Sequence, residues 1–277
     1  MAVRKAFRAL KYILFLAAAG YFAFMLMLAF FQKKYIYYPS KEIVTTPGLK
    51  GMEYEDIYFD SSDGVRLNGW FFPPTGERGE IILFCHGNAD NISYFIEDVR
   101  MFTEIGLGVF IFDYRGYGRS LGQQSETGTY FDAEAAWNWL TKEKKNHPSR
   151  IIIVGRSLGG AIAAWLAKEH KPRALFLETA FTSVEDIASK THPFIPVRYF
   201  LRYKYSTLDY LLKVKSPVLV VHSKDDTVVP FIHGRKLFAA APEPKKFIEL
   251  SGTHRNCFFE SAELYTEGIK DFLEATR

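Results

Sequence analysis

The longest apolar run in the chain lies at its amino end, where residues 12–31 carry no charged side chain. That is close to the roughly 20 residues a bilayer-spanning helix needs. Arg4, Lys5, Arg8 and Lys11 precede the run, and Lys33 and Lys34 follow it. Tyr35, Tyr37 and Tyr38 then stand where an interfacial aromatic belt would lie. The run is long and aromatic and lacks a small-residue cleavage site before the polar region, so the pattern predicts an uncleaved anchor over residues 1–34 rather than a removed signal peptide. The excess of positive charge before the span predicts a cytoplasmic amino end, with the rest of the chain on the other side of a single-pass membrane protein.

Beyond the anchor the pattern shortens. Residues 39–51 read as a linker or an extended arm that lifts the folded domain, assigned to residues 35–277, off the bilayer. Two strand-like runs, residues 53–60 and 65–72, flank Ser61-Ser62-Asp63-Gly64, and an Asp-Gly turn between such runs predicts a hairpin. Apolar runs at residues 81–84, 109–112, 151–154, 174–177, 218–221 and 247–250 then alternate with helical stretches. In the stretch 129–144, for example, Ala133, Ala136, Trp137 and Leu140 share one helix face. Strands separated by helices imply right-handed crossovers, so the fold class is α/β: an eight-stranded, mostly parallel sheet with helices on both faces. Residues 181–212 interrupt the alternation and are too long and too apolar for a plain solvent loop. Binding sites of open α/β sheets lie at the carboxyl ends of the strands. This insertion is therefore expected to form a small cap over an apolar pocket, with Phe194 and Tyr199 touching substrate; the alternative is a segment packed over the sheet edge.

Composition narrows the chemistry. The 277 residues are 48% hydrophobic and 24% charged, ordinary for a globular enzyme apart from 25 Phe and 16 Tyr. A scattered net charge of +4 offers no basic platform, which argues against a nucleic-acid partner. Cys85 and Cys257 are too few for a disulfide scaffold. The glycine-rich bend Asp113-Tyr114-Arg115-Gly116-Tyr117-Gly118-Arg119-Ser120 lacks the Gly-Lys-Ser/Thr ending of a phosphate loop, and there is no His-Glu-x-x-His. Neither a cofactor nor a metal is implied.

The informative stretch is Gly155-Arg156-Ser157-Leu158-Gly159-Gly160, between the run 151–154 and the helix-prone residues 161–167. A buried strand that ends at Gly-x-Ser-x-Gly and turns at once into a helix is the pattern of a nucleophile elbow. A serine hydroxyl needs a base, and the base needs a third group to fix its tautomer. His254 alone of the seven histidines sits in a Gly-containing loop directly after the last strand, and is expected to be the base. After the seventh strand Asp225 and Asp226 compete for the acid. Adjacent side chains in an extended turn diverge, and Asp226 is taken as the acid, with Asp225 a solvated or turn-forming neighbour. The oxyanion hole is expected from the backbone N–H groups of Leu158, after the nucleophile, and Asn88, after the third strand, with Ala89 as the alternative. His86 is expected to brace that loop, and Cys85 to be a buried apolar residue.

Together with His86-Gly87-Asn88-Ala89 and Gly252-Thr253-His254, these segments resemble the α/β-hydrolase superfamily. The resemblance is specifically to its membrane-anchored branch of α/β hydrolase domain-containing and bud-emergence-type proteins, and it runs from about Tyr35 to the carboxyl end. It implies a Ser157, Asp226 and His254 triad, Asp226 standing before Thr-Val-Val-Pro. It also implies hydrolysis of an acyl ester or thioester, from a lipid or an acylated protein, by a membrane-bound serine esterase. Competing expectations are a catalytically idle fold used for binding or scaffolding, and a serine peptidase. The chain departs from the resemblance at Asp90, where the family run has glycine.

Overall fold

The β-branched runs become the strands of one twisted sheet in the computed structural model, which describes residues 2–277. In chain order they are β1 (Glu55–Asp60), β2 (Arg66–Phe72), β3 (Ile81–Cys85), β4 (Gly108–Asp113), β5 (Ile151–Arg156), β6 (Ala174–Glu178), β7 (Val218–Ser223) and β8 (Lys245–Leu250). Their spatial order is β1-β2-β4-β3-β5-β6-β7-β8. β1 and β2 form the expected antiparallel hairpin, β2 runs antiparallel to β4, and β3 to β8 are mutually parallel. Every residue of β3 to β7 is buried. These strands need to be apolar on both faces because helices cover both sides. The order reverses between β3 and β4, leaving a crevice at the carboxyl end of β3 beside β5.

The helices are α1 (Ala2–Ile36), α2 (Ile96–Glu104), α3 (Glu126–Asn138), α4 (Leu158–Glu169), α5 (Val184–Thr191), α6 (Thr207–Leu211), α7 (Ile232–Ala240), α8 (Cys257–Glu260) and α9 (Ala262–Ala275). Two have side-chain caps: Ser125 caps α3 by accepting from the Gly128 N–H, and Ser183 caps α5 by accepting from the Asp186 N–H. α4 begins at the end of β5 with no intervening loop. Residues 181–212 hold α5, a 3₁₀ turn at Val197–Tyr199 and α6.

The segment after α1 is docked, not a spacer. Tyr38–Pro39 pairs in parallel with Ala89–Asp90. Asn91 Nδ2 donates to the carbonyls of Ser40 and Glu42, Lys41 Nζ donates to the Ser120 carbonyl, and the Val44 N–H donates to Ser93 Oγ. Unpaired backbone needs partners, and here the loops after β3 and β4 supply them. Of the two expectations for this stretch, the extended arm is the one that fits, and it forms an edge of the domain. α1 is the one helix among the described residues long and apolar enough to cross a membrane, with a mean hydropathy of 2.3 in its most apolar window.

Candidate active site

β5 delivers Ser157 through backbone geometry that glycine makes possible. Ser157 adopts φ 54°, a sparsely populated region for a residue with a side chain. The turn is this sharp because strand and helix nearly touch: a Cβ at Gly155 would lie 2.3 Å from the Gly159 carbonyl, and one at Gly159 would lie 2.0 Å from that of Cys85. Backbone blocks both positions, so only glycine fits. Beneath the serine, Arg156 Nε donates to Glu178 (2.9 Å), another guanidinium N–H reaches Asp98, and Tyr265 donates to Glu178. The guanidinium also stacks 3.7 Å from the centre of the Phe258 ring. A buried cation with two carboxylates and an aromatic face locks the elbow to α8, directly after the loop that carries His254.

At the ends of β7 and β8, His254 Nδ1 lies 2.6 Å from Asp226 Oδ2. Asp226 Oδ1 accepts from the N–H groups of Val228 and Val229, both at 2.8 Å. Burial pushes this carboxyl up, but the His254 bond and charge and the two N–H donors outweigh burial and hold it below its ordinary value. It is thus a carboxylate that fixes the imidazole with Nδ1 as donor and leaves Nε2 free to accept. Asp225 serves the fold of the loop instead: its Oδ2 accepts from the Gly252 N–H at 3.0 Å. A second histidine, His222, lies 3.6 Å from Asp226 Oδ2. Its Nε2 donates to the Val229 carbonyl, and burial keeps the ring neutral by lowering its pKa.

Across the crevice, the loop after β3 lies so close that a Cβ at Gly87 would sit 3.7 Å from that of Ser157. Asn88 is held from three sides: its carbonyl accepts from the Tyr38 N–H and the Tyr117 hydroxyl, and its Nδ2 donates to the Ile36 carbonyl at 2.8 Å. Among the described residues, the backbone N–H groups of Asn88 and Leu158 have no acceptor. His86 is fully buried, with Nδ1 2.8 Å from the Gly87 carbonyl. Burial lowers its pKa to about 4. Asp90 has φ 67°, the left-handed conformation that glycine takes freely and aspartate tolerates, so the departure from the family run preserves the turn. Its carboxylate pairs with Arg255, next to His254, at 2.9 Å.

A cavity of about 310 Å³ opens at Ser157, Leu158 and Asn88. One wall is Phe181, Val184, Ile187, Ala188, Ile195, Val197, Phe200 and Leu201 from residues 181–212; the other is Met25, Leu28, Ala29, Gln32, Tyr35 and Ile36 of α1.

Similarity to known proteins accords with this architecture. A family model described as serine aminopeptidase, S33, matches residues 76–197, which include Ser157 but stop short of Asp226 and His254. The Arabidopsis thaliana α/β hydrolase domain-containing protein WAV2 is 38% identical over 274 residues, 90% of this chain and 89% of its own. The chain belongs to the α/β-hydrolase superfamily. This hydrolase is also 30% identical, over 83% of each chain, to an uncharacterized membrane protein of Saccharomyces cerevisiae, YNL320W. It shares its fold with the esterase Pf2001 of Pyrococcus furiosus, at a TM-score of 0.69 and 19% identity, over 86% of this chain and 98% of that one.

In the hydrolase, then, Asp226 and His254 are joined, and Ser157, Leu158 and Asn88 share one cavity. The Ser157 hydroxyl makes no hydrogen bond to His254, a contact that often tightens only when substrate binds. Phe194 and Tyr199 do not line the cavity. They are 90% and 69% exposed, on the outer face of the cap, while their neighbours Ile195, Val197 and Phe200 point inward. The loop there alternates sides, and the two residues expected to touch substrate fall on the outer one. The α1 wall was also absent from the sequence reading. Its signal was the stripe Met25, Leu28, Ala29, Gln32 and Ile36, spaced for one helix face, with Gln32 the polar member at the end of an apolar run.

Proposed function

We propose that this protein is a membrane-tethered serine hydrolase that cleaves carboxylic esters or thioesters of single acyl chains. The observation that carries the reading is the cavity at Ser157: its walls are apolar, and one of them belongs to the membrane helix. At about 310 Å³ it stands at the small end of ligand pockets, suited to one acyl chain rather than a folded peptide.

His254 Nε2 takes the proton as Ser157 Oγ attacks the acyl carbonyl carbon, and Asp226 stabilises the imidazolium without itself accepting a proton. The N–H groups of Asn88 and Leu158 receive the developing oxyanion. Collapse breaks the bond to the alcohol or thiol, which leaves with the proton from His254. Water then repeats the sequence on the acyl-serine and releases the carboxylic acid.

The test is fluorophosphonate labelling of the full chain and of Ser157→Ala in detergent, with turnover of p-nitrophenyl esters of increasing chain length beside an aminoacyl arylamide. Labelling lost in the variant and kcat/KM rising with acyl length are expected. Labelling that survives Ser157→Ala would remove the nucleophile assignment. A preference for the arylamide would replace the esterase by a peptidase, and inert protein would leave the idle-fold alternative.

A further inference from the structure

The outward aromatics of the cap have a surface to meet. Tyr21 of α1 donates its hydroxyl to the Phe194 carbonyl at 2.9 Å. Gln32 Nε2 donates to the Phe200 carbonyl at 2.6 Å, and Gln32 Oε1 accepts from the Arg202 N–H at 2.8 Å. The cap is thus mated to α1 over a stretch of about 16 Å, at 1.5 Å of rise per residue. That stretch is the half of the uncharged run nearest the domain, and half of a hydrocarbon core is about 15 Å. A segment bonded to the helix at Tyr21 therefore lies at the depth of one leaflet.

The chemistry of the segment fits that depth. Phe194, Pro193 and Pro196 are exposed on it, and Phe22, Phe24 and Phe30 are exposed elsewhere around α1. Tyr199 is exposed nearer the Gln32 level, with the Arg198 guanidinium 4.6 Å from its ring centre, an aromatic and a cation placed where headgroups would be. In water this would be an apolar patch continuous with an apolar helix.

We propose that residues 193–201 are a second membrane element, inserted into the leaflet on the side of the hydrolase domain, and that an acyl chain passes sideways from that leaflet into the cavity between cap and α1. The lateral route rests on the acyl-hydrolase reading above; the insertion does not. Met25 and Leu28 on one wall and Ile187 and Ile195 on the other then stand at lipid depth, so a chain reaches Ser157 without its apolar length crossing water.

The full chain carrying Phe194→Cys, labelled with an environment-sensitive nitrobenzoxadiazole and reconstituted in phosphatidylcholine vesicles, decides the insertion. Native Cys85 and Cys257 are buried, and burial pushes both thiols up to about 12, so labelling is selective. Blue-shifted emission quenched by doxyl-labelled phosphatidylcholine is expected. Glu77→Cys, ahead of β3 at the opposite end of the sheet, should stay water-like and unquenched. Water-like emission at Phe194 overturns the proposal, and so does a blue shift without lipid quenching, which would mean that a second copy or another protein covers the patch. For the route, Phe194→Ser combined with Tyr199→Ser should cut kcat/KM for a long-chain ester dissolved in the vesicles by about tenfold, the scale of one aromatic side chain removed from lipid. Turnover of a water-soluble short-chain ester should remain within about twofold. Equal effects on both esters refute the lateral route. Absence of all ester turnover in the parent protein refutes the acyl-hydrolase reading and with it the route, while quenching still decides the insertion.

Discussion

Asp225 and Asp226 differ in what each carboxylate accepts, and a single pair of substitutions separates their roles. Asp226→Asn keeps the shape but places an amide opposite His254 Nδ1, which favours the wrong tautomer. Turnover of a short-chain ester should fall by about 10⁴ with the fold intact, the scale found when a triad acid is neutralised elsewhere. Asp225→Asn retains an oxygen for the Gly252 N–H, so turnover within about threefold of the parent is expected, since exposed charges at a distance are screened. Asp113 offers a separate prediction. Burial pushes its pKa up to about 8 against the pull of the Ile92 N–H, Lys41 and Arg119. The buried His86 Nε2, 3.7 Å from Oδ1, is held neutral. Between about pH 4 and pH 8 the folded chain therefore binds a proton that the unfolded chain has released, and this group's contribution to stability declines as pH rises through that window. Asp113→Asn, which keeps an acceptor for Ile92, removes the decline. Thermal melts of the two forms should diverge in favour of the variant from acid to neutral pH and run parallel above about pH 8.

The elbow was legible as a sequence because its constraint is local. A strand, a serine between glycines and a helix leave few alternatives, and the backbone contacts at Gly155 and Gly159 show why. Gly159→Ala would drive a methyl group into the Cys85 carbonyl, 2.0 Å away, on an element that cannot retreat because β3 is central in the sheet. Overpacking commonly costs about 1–3 kcal/mol, and backbone resistance puts this site at the upper end. The expected result is a melting temperature lower by several degrees and little turnover, whereas a methyl tolerated with full activity would show that α4 can shift. The hairpin and the parallel strands were readable for the same local reasons. Two features were not: the docking of residues 38–44 depends on hydrogen bonds to Ser93, Asn91 and Ser120 far along the chain, and the inward and outward faces of the cap depend on where α1 passes. Periodicity describes one element at a time, and both are agreements between two.

At the level of the whole molecule, α1 is both a candidate membrane span and a wall of the cavity. A reading from composition divides the chain into a greasy helix and a water-soluble domain, and predicts that the second folds and works without the first. Met25, only 2% exposed, and the Gln32 pair belong to both parts, so that division runs through the cavity. The same continuity governs the loop bearing Asn88. Its carbonyl is fastened to Tyr38 and its side chain to the last carbonyl of the helix, so the loop is bolted to the end of a rod about 52 Å long, at 1.5 Å per residue over 35 residues. In the membrane-spanning arrangement proposed above, tilting is one way such a rod accommodates a mismatch with the bilayer, at a cost of fractions of a kcal/mol for each ångström. In that arrangement a mismatch of a few ångströms amounts to about 1 kcal/mol, and if it reached the Asn88 N–H proposed as an oxyanion donor it would alter the rate severalfold. Turnover of a water-soluble ester by protein held in nanodiscs of short-, medium- and long-chain phosphatidylcholine should pass through a maximum, although that substrate never enters the lipid. A flat response would mean that the joint at Ile36 is slack. A maximum would make the enzyme a gauge of the membrane in which it sits.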